Sequence, residues 1–143
     1  MKKYIIACLF LGLLIGCSEN TTRYRNPYLP NYNFSMTINL NLPLYSNLNS
    51  PMNALRVTDP SSGSTFIIMK FSATDFRAWD AYCPNQYPTS CSLMNVYQTT
   101  NARCSCEDYT YSLFNGIGTE EVEYTMRPFR VEILEPKLIR VYN

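Results

Sequence analysis

The chain has 143 residues, 12 Lys and Arg against 11 Asp and Glu, and no histidine. A near-neutral balance gives no reason to expect nucleic acid or an acidic partner. The missing imidazole excludes Ser-His-Asp and Cys-His nucleophiles, His-ligated zinc and a histidine general base.

The N-terminus opens with Lys2 and Lys3, and residues 5–15 are almost entirely apolar. That run is shorter than the ~20 residues a membrane-spanning helix needs, and it fits the apolar core of a secretion signal. It ends in Leu14-Ile15-Gly16-Cys17, with polar residues beginning at once at Ser18. This ending resembles the lipobox of bacterial lipoproteins. The resemblance implies a signal peptide over residues 1–16, cleavage before Cys17, and diacylglycerol on the Cys17 sulfur. Membrane attachment in the cell envelope follows, since two or three acyl chains anchor stably where one is marginal. Ser18 stands where an inner-membrane retention signal carries Asp, so the same resemblance points to the outer membrane of a Gram-negative bacterium. The competing readings are a buried helix and a plain signal cleaved elsewhere.

Without residues 1–16 the chain has 127 residues, 10 basic against 11 acidic, and the size of one domain. Residues 17–33 form the lipidated N-terminus and a polar tether containing Pro27 and Pro30; a flexible run of this length spans roughly 20 Å. The domain is expected over residues 34–143. Residues 34–41 alternate apolar and polar side chains, which predicts a half-buried strand, and residues 42–51 read as loop. A short strand at 55–58 leads through the Asp59-Pro60-Ser61-Ser62-Gly63 turn. Residues 65–71 are apolar on both faces and predict a central strand. A strand at 76–82 delivers Cys83-Pro84, followed by a long polar loop to Cys91. Strands at 93–97 and 102–106 flank a turn at 99–101, and a strand at 109–114 runs into Asn115-Gly116. Residues 120–126 lead to a closing hairpin, 129–134 and 138–142, about a turn at 135–137. No helix, repeat or low-complexity tract is visible. With 12 tyrosines and 5 glycines, the pattern predicts an all-β sandwich or small barrel of short antiparallel strands.

Of six cysteines, Cys8 leaves with the signal and Cys17 is lipidated, so Cys83, Cys91, Cys104 and Cys106 remain. An even number in an oxidising compartment points to two disulfides. A bridge between Cys104 and Cys106 would be strained, which leaves two pairings open: 83–104 with 91–106, or 83–106 with 91–104.

Three features in order carry a second resemblance. Phe76-Arg77-Ala78-Trp79-Asp80-Ala81-Tyr82 ends in Cys83-Pro84. Cys104-Ser105-Cys106 comes next, followed by Tyr109 to Gly116. The chain then closes with Pro128-Phe129-Arg130-Val131-Glu132-Ile133 and a last strand. Over residues 34–143 this resembles the Rieske domain, whose first box reads Cys-Pro-His and whose second reads Cys-x-Cys-His or Cys-x-x-His. It is also similar to secreted bacterial lipoproteins built on that fold. A Rieske centre holds one iron by two cysteines and the other by two histidines. Here Asn85 stands at the first histidine position and Glu107 at the second, so the imidazole-ligated iron cannot be built. The resemblance then implies that Cys83 and Cys104, close together in the family, form a disulfide, and that Cys91 and Cys106 bridge the two loops. Cys91 lies farther along its loop than the family pattern has it. The expectation is a degenerate Rieske-like domain with no cofactor and no catalytic residue, serving as a binding or structural module for an envelope protein or ligand.

Other chemistries compete with this one. A non-standard [2Fe–2S] centre on the four cysteines would make the chain an electron-transfer or redox protein, but the spacing matches no ferredoxin pattern. Zinc on four cysteines usually shows Cys-x-x-Cys pairs. Thiol–disulfide exchange at Cys104-Ser105-Cys106 needs a depressed thiol pKa, and Glu107 and Asp108 beside it act the other way. The pairs Glu107-Asp108 and Glu120-Glu121 could be imagined as an acid/base couple, although adjacent strand residues face opposite sides. Asp80 reads as a loop cap, Trp79 as core, and Tyr24, Tyr28, Tyr32 and Tyr45 as either a binding surface or packing.

Overall fold

The computed structural model describes residues 26–143. The expected signal peptide, Cys17 and the first part of the tether, with Tyr24, lie outside the described residues.

Among the described residues there are nine strands: β1 (Ser35–Asn39), β2 (Asn53–Thr58), β3 (Thr65–Lys70), β4 (Phe76–Asp80), β5 (Asn95–Tyr97), β6 (Asn101–Arg103), β7 (Thr110–Ser112), β8 (Pro128–Glu135) and β9 (Leu138–Tyr142). All pairings are antiparallel. A six-stranded sheet runs in the order β1-β9-β8-β4-β3-β2, and a three-stranded sheet in the order β5-β6-β7. The all-β architecture and the closing hairpin are as the residue pattern predicts.

Strand periodicity explains how one sheet serves two cores. Side chains alternate between faces along a strand. On β3, Phe66 and Ile68 enter a core with Phe34, Ile38, Leu48, Phe129 and Val141. Ile67 and Met69 enter a second core with Trp79, Met94, Tyr111, Leu113 and the two cysteines Cys83 and Cys104. All four β3 side chains are fully buried, each contributing about 1.5–3 kcal/mol. This is why the run reads as apolar throughout and not as alternating. β4 repeats the division, with Ala78 in the first core and Trp79 in the second.

Two expectations need correction. Residues 43–49, read as loop, form a 3-10 helix (Pro43–Asn49) that buries Tyr45 and Leu48; Pro43 supplies a preset φ for the first turn. The second concerns the tether. Residues 26–33, part of the tether that the sequence predicts, pack on the domain as a strap. Asn26 and Leu29 are buried, Asn26 Nδ2 donates to the Pro84 carbonyl at 2.6 Å, and Arg127 donates to the Pro30 carbonyl at 2.8 Å. The physical reason is specific pairing of polar groups, which apolar periodicity does not report.

Candidate functional site

β4 ends at Asp80, and the chain turns back so that Cys83 N–H donates to the Ser92 carbonyl at 2.8 Å and Met94 N–H to the Ala81 carbonyl at 2.7 Å. Residues 84–91 are thereby held out as the first loop. Inside it, the buried Ser92 hydroxyl accepts from Thr89 N–H and donates to the Tyr87 carbonyl. The second loop follows β6 and closes where Cys104 N–H donates to the Tyr109 carbonyl at 2.8 Å.

Two disulfides join the loops. Cys83 is bonded to Cys104 and Cys91 to Cys106, with Cα–Cα separations of 5.6 Å in both. This is the pairing the Rieske resemblance implies. The bridges differ in setting. Cys83 and Cys104 are fully buried in the second core. Cys91 is exposed and Cys106 half-buried, with the Gln86 amide donating to Cys106 Sγ at 2.8 Å and the Thr89 hydroxyl 3.4 Å from Cys91 Sγ.

Asn85 is hydrogen-bonded through both ends of its amide. Its Nδ2 donates to the Tyr111 hydroxyl and the Tyr124 carbonyl, both at 2.7 Å, and its Oδ1 accepts from Tyr124 N–H at 2.8 Å. The side chain therefore staples the first loop to the segment before β8. Glu107 points to solvent, and Asp108 pairs with Arg103 at 3.1 Å. Glu120 accepts from Thr110 N–H at 2.7 Å. Among the described residues no group of three or more Cys, Asp and Glu side chains is arranged to hold a metal ion.

No family model matches the chain, and no curated protein matches it. Solved structures of similar shape do exist. One is the Mycobacterium tuberculosis protein assigned as the small subunit of an NADH-dependent nitrite reductase, at 12% identity and a TM-score of 0.49 over 79% of this chain and 97% of that one. Another is the ferredoxin of carbazole 1,9a-dioxygenase from Nocardioides aromaticivorans, at 12% identity and a TM-score of 0.45 over 66% and 90% of the two chains. The Escherichia coli protein NirD is similar at 9% identity and a TM-score of 0.45, over 77% and 98%.

Beneath the loops lies a buried ion pair. Arg127 donates through Nε to Asp80 Oδ2 at 3.1 Å, and a second bond joins its terminal nitrogen to the same oxygen. Asp80 Oδ1 accepts from Tyr82 N–H at 2.9 Å, at the start of the first loop. Burial pushes the Asp80 carboxyl above its ordinary value, opposed by the Tyr82 amide and the Arg127 guanidinium. Burial, and then the Asp80 carboxylate, push the Tyr32 hydroxyl far upward. Asp80 is thus more than a loop cap: with Arg127 it ties β4, the segment before β8 and the strap together. Sequence reasoning passed over Arg127 because its partner lies 47 positions away and no spacing rule connects them. Of the tyrosines, Tyr45 is core and Tyr32 packs against it, while Tyr28 joins a ring cluster at the first loop. Trp79 is core, its indole N–H donating to the Leu113 carbonyl at 3.0 Å.

Proposed function

We propose that this chain is a lipid-anchored protein of the bacterial cell envelope, acylated on Cys17. Its domain is a degenerate Rieske-like module in which two disulfides stand where an iron–sulfur cluster would sit, and it serves as a binding or structural element and not as an enzyme. One observation carries the domain part of this reading. The four sulfurs that could hold iron are joined pairwise between the two loops. The two positions matching imidazole ligands do not fit the group either: the Asn85 amide is engaged at both ends, and Glu107 faces solvent. With no histidine in the chain, no step can be routed through such a cluster. The anchoring part rests on Lys2, Lys3, the apolar run and Leu14-Ile15-Gly16-Cys17.

The experiment is expression of the full chain in a Gram-negative host, with iron and acyl content measured on the purified protein. The expected protein carries no stoichiometric iron, has no visible charge-transfer absorbance, and shows the mass of an acylated Cys17 terminus. Cys17→Ala releases it from the membrane fraction. Stoichiometric iron with a visible band would replace the structural reading by an electron-transfer one. A Cys17→Ala chain that still fractionates with membranes would remove the lipid anchor.

A further inference from the structure

The docked strap has a geometric consequence for an anchored chain. If residues 26–33 were free, the leash from Cys17 would end at Phe34. Because Asn26 is held on Pro84, the leash ends at Asn26, nine residues from Cys17. Nine residues reach about 30 Å at most. The leash root is also the place where the first cysteine loop projects.

What surrounds that root is aromatic. Tyr28 lies edge-on to Tyr87 at 4.9 Å and to Tyr124 at 5.8 Å between ring centroids. Tyr87 is 68% exposed, and Pro27 and Pro88 beside these rings are exposed as well. Tyrosine combines an apolar ring with a hydroxyl and favours the boundary between hydrocarbon and headgroups.

We propose that this tyrosine cluster rests on the headgroup layer of the membrane that holds Cys17, so that the cysteine-loop end faces the lipid and the opposite end of the domain faces away. The proposal rests on the lipid-anchor reading above. Its occupant follows from where the leash ends. The opposite end is marked by Leu44 on the 3-10 helix, 71% exposed; residues on both sides of Leu44 are tied to the β8–β9 turn, where Leu40 N–H donates to the Lys137 carbonyl and Lys137 Nζ to Asn49 Oδ1. β8 runs from Pro128, opposite Trp79, to Glu135 at that turn, seven rises or about 23 Å. Bringing Leu44 to the bilayer would therefore use most of the leash's reach, whereas the tyrosine cluster lies at its root.

Charge narrows the lipid class. Residues 104–126 hold Glu107, Asp108, Glu120, Glu121 and Glu123 and no Lys or Arg, and all five acids are exposed. Asp108 is paired with Arg103; the other four carboxylates are repelled by anionic headgroups and much less by zwitterionic ones.

The test uses the full acylated chain in phosphatidylethanolamine–phosphatidylcholine vesicles with brominated acyl chains, which quench nearby indoles. Tyr87→Trp and Leu44→Trp are compared above the common background of Trp79; both sites are exposed, so the fold tolerates either change. The expected result is at least twofold quenching in Tyr87→Trp and none beyond background in Leu44→Trp. Enriching the vesicles in phosphatidylglycerol should weaken the quenching. An acylated, vesicle-bound chain quenched in Leu44→Trp, or in neither variant, overturns the docking while leaving the anchor intact. A chain that carries no acyl groups and stays off the vesicles overturns anchor and docking together.

Discussion

Removing the two disulfides one at a time separates what closure of the loops contributes from what packing contributes. The bridges span sequence separations of 21 and 15. Loop-closure entropy alone assigns them about 3.3 and about 3.0 kcal/mol at 25 °C, nearly equal values. Their surroundings are unequal. Cys83 and Cys104 are fully buried among Ile67, Met69, Trp79 and Tyr111, so alanine there also leaves two sulfur-sized voids, at about 1 kcal/mol each. Cys91 is exposed, and its loss opens little. The paired substitution Cys83→Ala with Cys104→Ala should therefore lower stability by about 5 kcal/mol, against about 3 kcal/mol for Cys91→Ala with Cys106→Ala. Urea unfolding followed by the fluorescence of the single, buried Trp79 measures both. Native domains hold about 5–15 kcal/mol in all, so the inner pair places the fold near its limit while the outer pair leaves it folded. An outer-pair variant that loses as much as the inner one, or more, would refute the reasoning that the second core is built around the inner sulfurs.

The same asymmetry governs reduction: a mild dithiol followed by alkylation should label Cys91 and Cys106 first, as read by peptide mass, with Cys83 and Cys104 labelled only under denaturant. Gly116 sits at φ +73°, and a Cβ there would lie 2.6 Å from the Trp79 ring; Gly116→Ala should lower stability by about 2 kcal/mol or more and shift the Trp79 emission. Asp80→Asn keeps an acceptor for the Tyr82 amide but leaves the Arg127 guanidinium buried without its counter-charge, a loss of about 3–5 kcal/mol. It should also speed proteolysis within residues 26–33, because Arg127 holds the strap through Pro30.

The elements whose cause is local were legible in the residues. β1 showed as strict alternation, β3 as an unbroken apolar run, and the closing hairpin as two strands about Glu135-Pro136-Lys137. The paired cysteine loops were legible through their resemblance to two boxes of a known domain, whereas composition and spacing alone left two pairings open. What escaped has non-local causes. The strap over residues 26–33 is polar and proline-bearing, as a free tether would be, and it is held by the buried Leu29 and by bonds from Asn26 to Pro84, Arg127 to Pro30 and Asn143 to the Tyr32 carbonyl. The Asp80–Arg127 pair gave no signal because two charges far apart in the chain read as two surface charges until the fold joins them. The Rieske resemblance sets Asn85 at a histidine position, but its hydrogen bonds to Tyr111 and Tyr124 depend on residues 26 and 39 positions away. The 3-10 helix escaped because its seven residues are too few to show a period.

The state of four sulfurs separates a disulfide-closed domain from a cluster-bearing one, and non-reducing peptide mapping of the protein isolated from the cell envelope reads it directly. The predicted result is two cross-linked species, Cys83 with Cys104 and Cys91 with Cys106, and no free thiol among the four. Four free thiols accompanied by bound iron would contradict it.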